Sequence, residues 1–436
     1  MKNKSNQKSV KIQTGFVAEN LTNYSGIEPV YTFMCKLGLP DLFKSISIEL
    51  GQNAKYQTHN ILSIIILGLL SGMNRIVKME KFSMDSLVKK IFRIKEKIDE
   101  DTITNRLNRF GMAQTEELLN IISIASNKVH SKLGTTKDIL DMDSSVRTVY
   151  GDQEGSSVGF NPKKHGAKSY HPLLCFLVST KECLLSWLRP GNSYTSNNSP
   201  EFMKQAFNSL PSTIQELLVR CDSGFFDGSL LDVIESRPKT EYLIKVKLKN
   251  FMDLIPGRIW EKFTGDPYIQ TTEFQYQAQG WKVSRKFVVI RKVTSIESDG
   301  MLYPKINYDY FCYVTNIEDS PLQIHSLYGD RGESENWIEA VKNQMFAGSL
   351  LTQNFWTNEA LWLLSVMAYN VSVWMRKLTD SKTWQEEPMT FRMWFIQIAG
   401  KVIESGRRIW LKMSKNYYCK ERWLKIEKMI EDLVFP

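Results

Sequence analysis

The feature that most constrains the fold is a run of strands and helices that begins at Lys137. Before this point the hydrophobic pattern is helical, and after it short apolar stretches predict strands. The predicted strands are 138–143, 173–179, 183–188, 217–221 and 242–246, and the predicted helices are 200–210 and 227–235. Three strands followed by helix, strand, helix and strand predict a mixed α/β sheet, in which an antiparallel meander is continued by parallel crossovers.

Acidic residues stand at the ends of two predicted strands. Asp143 ends the first strand, and Asp222 directly follows the fourth. If those strands are neighbours, the two carboxylates lie side by side and repel each other unless a divalent cation bridges them. Hard oxygen ligands of this kind select Mg²⁺ or Mn²⁺. Two alternatives stay open: Asp141 points to the same side of the strand as Asp143, and the D-S-G sequence at Asp222 is also a turn sequence.

A later segment carries polar residues on one helical face. Read as a helix, it places four side chains within about 60° of one another: Tyr328, Arg331, Glu335 and Lys342. One carboxylate with two cations suits metal and phosphate better than a core. With Asp143 and Asp222, Glu335 would complete a three-carboxylate site for two metals roughly 3.5–4 Å apart, the arrangement of phosphoryl transfer. Glu339 competes with Glu335, Glu333 lies opposite, and the alternative is a solvated surface helix.

The net charge of +9 predicts a polyanionic partner, most often nucleic acid. The 151–170 loop offers Lys163, Lys164 and Lys168 for contact with a DNA backbone. A basic arm over residues 1–15 either touches DNA or only aids solubility. Six dispersed cysteines argue against structural zinc and disulfides, and favour a reduced intracellular compartment. The basic N-terminus has no apolar segment after it and is not expected to be a signal peptide, and the apolar stretch 61–70, about ten residues, is too short for a bilayer.

The remaining segments complete the predicted layout. Residues 27–130 are helical, with a short helix capped by Asp101. That helix would point Ile103, Leu107 and Phe110 inward and Asn105, Arg106, Asn108 and Arg109 outward, either into a DNA groove or as the surface of a bundle. Residues 250–325 are β-rich. A helix over 357–378 with Thr357 as its cap precedes a basic tail, predicted to be helical from Met393 onward.

In these motifs the chain resembles bacterial insertion-sequence transposases of the DDE type, whose catalytic core is ribonuclease H-like. The signature Y-x2-R-x3-E-x6-K is matched in full at 328–342. The segments D-M-D-S-S-V-R-T-V-Y-G-D-Q-E-G, G-F-N-P-K-K-H-G-A-K-S-Y-H-P-L-L and V-R-C-D-S-G-F-F resemble the two aspartate regions. The likeness spans about residues 15–380. It departs from relatives at 143–145, where D-S-S replaces the frequent D-S-T.

The resemblance implies roles for particular residues. Asp143, Asp222 and Glu335 would bind catalytic Mg²⁺, for which Mn²⁺ can substitute. Tyr328, Arg331 and Lys342 would contact phosphates near the transposon end. A tryptophan in the β-rich insertion would stack on a flipped base, with Trp281 the candidate and Trp260 the alternative.

The implied function is a magnesium-dependent DNA endonuclease and strand transferase. It would bind terminal inverted repeats, cleave the ends and join 3′-hydroxyls to target DNA, by cut-and-paste and as a homodimer on DNA. We expect a cytoplasmic, nucleoid-associated protein with no nucleotide cofactor and no membrane partner. Two alternatives are a ribonuclease H-like nuclease without strand transfer and a non-catalytic DNA-binding derivative of a transposase.

The predicted domain boundaries follow from this layout. An N-terminal helical DNA-end-binding region covers 1–134, and the first part of the catalytic core covers 135–249. The β-rich insertion covers 250–325, the signature helix of the core 326–350, and a C-terminal helical region 351–436. The last region would serve core packing, dimerisation or DNA contact.

Overall fold

The computed structural model describes residues 13–16, 18–52, 54–247, 252–255, 257–263, 265–297, 304–349, 351–406 and 408–436. The basic arm predicted over residues 1–15, with its four lysines, lies almost wholly outside these residues, as does Arg407 of the basic tail. In the described part, no helix is long and apolar enough to cross a membrane.

The N-terminal region is helical, as its hydrophobic pattern predicts. Its elements are β1 (Leu21–Thr22), α1 (Ile27–Leu37), α2 (Leu39–Leu42), α3 (Thr58–Leu70), α4 (Ile76–Ser83), α5 (Ser86–Phe92), α6 (Glu100–Leu107) and α7 (Met112–Leu133). The first helix ends at Gly38, whose φ of 79° is accessible to glycine at little cost. The apolar run of α3 is buried, which makes it a core helix.

Two details of α6 differ from the prediction. The residue at its N-cap position is Asp99, which directly precedes the helix, and Asp101 lies inside the first turn. Ile103, Leu107 and Phe110 are buried as predicted. Arg106 is not on the outer face: it is buried and donates to Thr58 Oγ1 and the Tyr56 carbonyl. The side chain therefore ties α6 to α3 instead of facing DNA.

The central part contains the strands that carry the predicted carboxylates. Its elements are β2 (Lys137–Ser144), β3 (Arg147–Thr148), β4 (Ser157–Val158), β5 (Lys168–Tyr170), β6 (Leu173–Leu177), β7 (Glu182–Trp187), α8 (Ser199–Ser209), β8 (Glu216–Cys221), α9 (Gly228–Ser236) and β9 (Thr240–Lys245). The sheet order is β7-β6-β2-β8-β9, with β6 antiparallel to β2 and β7. Strands β2, β8 and β9 are parallel. This is the mixed α/β sheet that the sequence predicts, an antiparallel meander continued by parallel crossovers.

The predicted β-rich insertion extends the same sheet. Its strands are β10 (Glu261–Phe263), β11 (Asp266–Tyr276), β12 (Arg285–Glu297) and β13 (Lys305–Thr315). β13 pairs antiparallel with β9, and β12, β11 and β10 follow outward. Within the described residues the sheet thus has nine strands. The predicted long loop over 151–170 contains β4 and β5. Together with β3, which precedes the loop, they form a small separate sheet in the order β3-β5-β4.

The C-terminal part is less helical than predicted. Its elements are α10 (Pro321–Gly329), α11 (Glu333–Glu339), α12 (Phe355–Thr379), α13 (Ser381–Trp384), α14 (Pro388–Phe391), β14 (Gly400–Ser405), β15 (Arg408–Met413) and α15 (Lys420–Asp432). β14 and β15 form a hairpin where a helix was predicted, and β1 pairs with β14. Helix α12 is buried along most of its length against α3, α7 and β7, and Asn354, instead of Thr357, caps it.

Candidate active site

The two predicted aspartates lie at the same edge of the central sheet. Strands β2 and β8 are parallel neighbours in a register that pairs Met142 with Cys221. The residues that follow, Asp143 and Asp222, therefore lie next to each other where both strands end. Asp222 also caps a short 3₁₀ turn, since one of its oxygens accepts from Gly224 N at 2.9 Å. The turn fixes that carboxylate beside the strand end.

The Asp143 side chain is mostly buried but keeps some contact with solvent. Its side chain is 13% exposed. One carboxylate oxygen accepts from Ser144 N at 2.7 Å, and the other contacts Arg331 Nη2 at 2.9 Å. Burial raises the pKa of Asp143 to about 6, and the negative charge of Asp222 adds to the shift while Arg331 opposes it. A second cation beside the two carboxylates would therefore be electrostatically favourable.

Asp141, the competing first ligand, has a different environment. Its side chain is fully buried, and both of its oxygens are bound by Arg220, at 2.7 and 2.8 Å. Arg220 also donates to the Leu327 carbonyl at 2.7 Å, which joins β8 to α10. A carboxylate with both oxygens engaged by one guanidinium has little capacity left for a metal. The geometry fits a structural ion pair.

The predicted helical strip is broken but still faces the strand ends. A 3₁₀ turn over Asp330–Gly332 separates α10 from α11, and a π-helical turn follows over Ala340–Gln344. Arg331 donates to the Met142 carbonyl at 3.0 Å and contacts Asp143. Tyr328 packs against Tyr313, with the ring centroids 5.0 Å apart. Burial raises the pKa of Tyr328 to about 12, against the effect of the Arg331 charge, so its phenol stays protonated at neutral pH.

Glu335 lies on α11, which follows the turn of Arg331, and is exposed. Among the described residues, no three side chains of the His, Cys, Asp and Glu types gather into a metal-binding group. The donor set nonetheless suits Mg²⁺, because Asp143 and Asp222 present adjacent hard oxygen ligands. Glu335 as the third ligand stays a prediction.

The competitor Glu339 lies one turn after Glu335 on α11. It lines a cavity of about 450 Å³ together with Glu333 and Asn336. The other walls of this cavity come from α12 and the segment around Trp384, not from the strand ends. Glu335 and Glu339 both lie within the regular helix between the 3₁₀ and π-helical turns, so the choice between them as third ligand stays a prediction.

Lys342 is held close to the first strand end. Its Nζ donates to Ser145 Oγ at 2.9 Å and to the Val146 carbonyl at 2.8 Å. Burial lowers the pKa of Lys342 to about 8, and the positive charge of Lys163 adds to the shift. Lys163, from the 151–170 segment, therefore lies within electrostatic range of Lys342. Two cations gathered near two carboxylates suit a ligand that carries its own negative charge, such as a phosphodiester.

The other lysines of this segment are exposed and partly engaged. Lys168 forms an ion pair with Asp152 at 2.6 Å. Lys164 lies over the ring of Tyr150, 4.3 Å from its centroid, and Tyr150 is itself 80% exposed. An exposed aromatic ring beside a lysine is a common combination on nucleic-acid-binding surfaces.

The two tryptophan candidates occupy different surroundings. Trp281, in the turn between β11 and β12, packs against Phe226 at 5.7 Å between ring centroids, four residues beyond Asp222. Arg285 lies over its ring at 4.6 Å. Trp260 instead lies under Arg291, on the outer strands of the insertion. Contact with the Asp222 turn favours Trp281 as the tryptophan nearer the carboxylates.

Sequence reasoning missed Ser145, which holds Lys342 in place across 197 residues of chain. It also missed the partner of Asp141, Arg220. No local pattern signals either contact, because each joins segments that meet only in the folded sheet.

Comparisons with known proteins bear on this arrangement. A family model described as "Transposase DDE domain group 1" matches residues 4–434. No curated protein matches the sequence. Among solved structures, the chain is similar to a cryo-EM structure of piggyBac transposase synaptic complex with hairpin DNA. The identity is 10%, the TM-score 0.46, and the match covers 84% of this chain and 79% of that chain. This similarity is too low to support an inference about fold or function.

Proposed function

The chain belongs to the DDE transposases, and from this premise we propose that it cleaves DNA at the ends of a mobile element and joins the 3′-hydroxyl ends to target DNA. The observation that carries the proposal is the parallel pairing of β2 with β8, which sets Asp143 beside Asp222. Asp143 is also partly exposed, whereas Asp141 is fully buried.

We assign Asp143, Asp222 and Glu335 to metal binding. Bound Mg²⁺ would supply activation of the attacking water or 3′-hydroxyl and stabilisation of the leaving oxygen. The raised pKa of Asp143 supports the assignment, since a carboxyl whose negative charge is unfavourable without a counter-charge gains most from a cation. We assign Glu335 over Glu339 because Glu335 occupies the acidic position of the Y-x2-R-x3-E-x6-K signature.

Arg331 is the residue we assign to positioning the reacting phosphate. Its side chain is 7% exposed, and one nitrogen already bonds the Met142 carbonyl and Asp143. Among the described residues, its Nε finds no hydrogen-bond acceptor. A buried guanidinium N–H without a partner is costly, and a phosphate oxygen would satisfy it with charge-assisted geometry. Lys342 and Lys163 would bind the neighbouring phosphate.

The substrate we propose is duplex DNA that carries the element's terminal inverted repeats. Two ends must be cut in register, so we propose a homodimer on DNA with one active site for each end. Lys164, Lys168 and Tyr328 would extend the phosphate contacts, and Trp281 would stack on a base near the cut. We propose a cut-and-paste route, which the Y-x2-R-x3-E-x6-K signature favours.

The test is a cleavage assay on labelled DNA that carries the flanking ends of the gene, with Mg²⁺ or EDTA. We expect Mg²⁺-dependent nicking at the repeat boundary and loss of nicking in Asp222→Asn and Glu335→Gln while both variants still bind DNA. Glu339→Gln is the matched control, because it removes the same charge from the same helix and should leave nicking intact.

Other outcomes separate the alternatives. Binding without nicking by the unaltered protein would mean a non-catalytic DNA-binding protein. Nicking without any joined product when target DNA is added would mean a nuclease without strand transfer. Loss of nicking in Glu339→Gln but not in Glu335→Gln would show that the third ligand is misassigned.

A further inference from the structure

A small sheet far from the predicted signature in sequence presents an unusual outer surface. Strands β1, β14 and β15 form this sheet, with β15 at its edge. The register places Leu21 opposite Lys401, Lys401 opposite Lys412, and Ile403 opposite Trp410. Because directly paired residues point to the same side of a sheet, these side chains share one surface with Arg408. We call this surface the Trp410 face; it comprises Leu21, Lys401, Ile403, Arg408, Trp410 and Lys412.

The opposite face of the same sheet packs on the protein core. Thr22 is 1% exposed and Val402 is 3% exposed. Leu411 and Met413 pack against the same core. The sheet is thereby anchored through one face, and the Trp410 face is turned outward. Leu21 and Trp410 are 51% and 54% exposed.

The charges of the Trp410 face are all of one sign. Lys401 and Lys412 are directly cross-strand, and like charges in that relation destabilise a sheet. In the described part of the chain neither lysine forms an ion pair with an acid. The nearby Glu404 points to the other face, where it pairs with Lys90. A fold that keeps this repulsion unrelieved is suited to an anionic ligand that relieves it.

We propose that the Trp410 face binds the sugar–phosphate backbone of duplex DNA, an inference that rests on the proposed function. Lys401, Arg408 and Lys412 would contact phosphates, and the Trp410 ring would pack on deoxyribose between them. A patch of cations on one face is the electrostatic footprint of a nucleic-acid-binding surface. A second copy of the chain is a poorer occupant, because a symmetric contact would set the cations of one copy against those of the other.

The experiment measures the affinity of the full chain for a labelled duplex of the element's end, in EDTA, over a range of salt concentrations. Each lost phosphate contact lowers the slope of log K against log[salt] by about 0.9. For Lys401→Gln/Lys412→Gln we therefore expect a slope smaller by about 1.8. We expect Trp410→Ala to weaken binding severalfold with the slope unchanged, because the ring carries no charge.

The matched control is Lys204→Gln/Lys239→Gln, which removes the same net charge from exposed positions. Lys204 lies on α8 and Lys239 precedes β9, at the end of the sheet opposite to Asp222. We expect this control to keep the slope of the unaltered protein. Equal slopes for both double variants would overturn the inference.

Two further measurements, of stability and of oligomeric state, test the role of the Trp410 face. The denaturation midpoint of Lys401→Gln/Lys412→Gln should equal or exceed that of the unaltered protein, because the substitution removes a repulsion; a lower midpoint would overturn the argument from repulsion. Sedimentation measures the oligomeric state without DNA. If the unaltered protein is a dimer and this variant is not, the Trp410 face binds a second copy of the chain instead. If the unaltered protein binds and nicks DNA but the slope is unaffected, only this inference fails; if it binds no DNA, the proposed function fails as well.

Discussion

DNA affinity should fall steeply between pH 7 and pH 9 because of Lys342. Burial and the charge of Lys163 lower its pKa to about 8 in the free protein. A phosphate bound to its Nζ would restore the pKa towards the ordinary lysine value of about 10.4. Binding therefore takes up a proton, and raising the pH weakens it. In the free protein, about nine-tenths of the Lys342 side chains are protonated at pH 7 and about one-tenth at pH 9. DNA affinity should therefore be roughly tenfold lower at pH 9, which corresponds to about 1.4 kcal/mol.

Fluorescence anisotropy with a labelled duplex, in EDTA and at constant ionic strength, measures this dependence. Lys342→Arg is the control, because a guanidinium stays protonated throughout the range. We expect the arginine variant to bind with nearly constant affinity from pH 7 to pH 9. A flat profile for the unaltered protein would refute the reasoning. An equal fall in Lys342→Arg would mean that another group titrates.

Three further predictions follow from contacts elsewhere in the site and the core. Lys163→Gln should move the midpoint of the Lys342 profile to higher pH, since it removes a like charge; an unchanged midpoint in the same anisotropy assay would exclude the coupling. Asp141→Asn should lower the free energy of unfolding by about 3–5 kcal/mol, because Arg220 keeps a buried charge without its carboxylate; urea denaturation measures the loss, and a change under about 1 kcal/mol would contradict it. Glu182→Gln should cost more at pH 6 than at pH 8.5. Burial lowers the pKa of His130, but the charge of Glu182, 3.4 Å away, raises it above its ordinary value, so the stabilisation by the pair is present at low pH and lost as His130 deprotonates. Equal losses in urea midpoint at the two pH values would count against this pairing.

The central sheet was predictable because its determinants are local. Each core strand is a short apolar run bounded by turn residues, and crossover rules leave few ways to connect strand, helix and strand. The positions of β2 and β8 along the chain therefore followed from the sequence, whereas their pairing, on which the predicted juxtaposition of Asp143 and Asp222 depended, is seen in the folded sheet. The insertion was predictable for the same reason, although its pairing onto β9 was not.

The C-terminal hairpin was not predictable in the same way. Residues 400–413 carry cations at short intervals, a pattern equally compatible with a basic helix. The strand conformation depends on pairing between β14 and β1, whose residues come from the start of the chain. Packing of Val402 and Leu411 on the core further stabilises it. Such contacts are long-range, and β-structure depends on them more than on intrinsic propensity.

The sequence alone does not distinguish the structural role of Asp141 from the proposed metal-binding role of Asp143. Both lie on one side of β2, two residues apart, and both face an arginine. Arg220 binds both oxygens of Asp141 with the pair shielded from water. Arg331 binds one oxygen of Asp143 from the 3₁₀ turn that precedes α11, the helix of Glu335, at a partly exposed edge. The first arginine saturates its carboxylate; the second leaves capacity for a further ligand. This difference in saturation is set by β8 and by the turn that carries Arg331, not by β2 itself, and it is the reason why we propose Asp143 as the metal ligand.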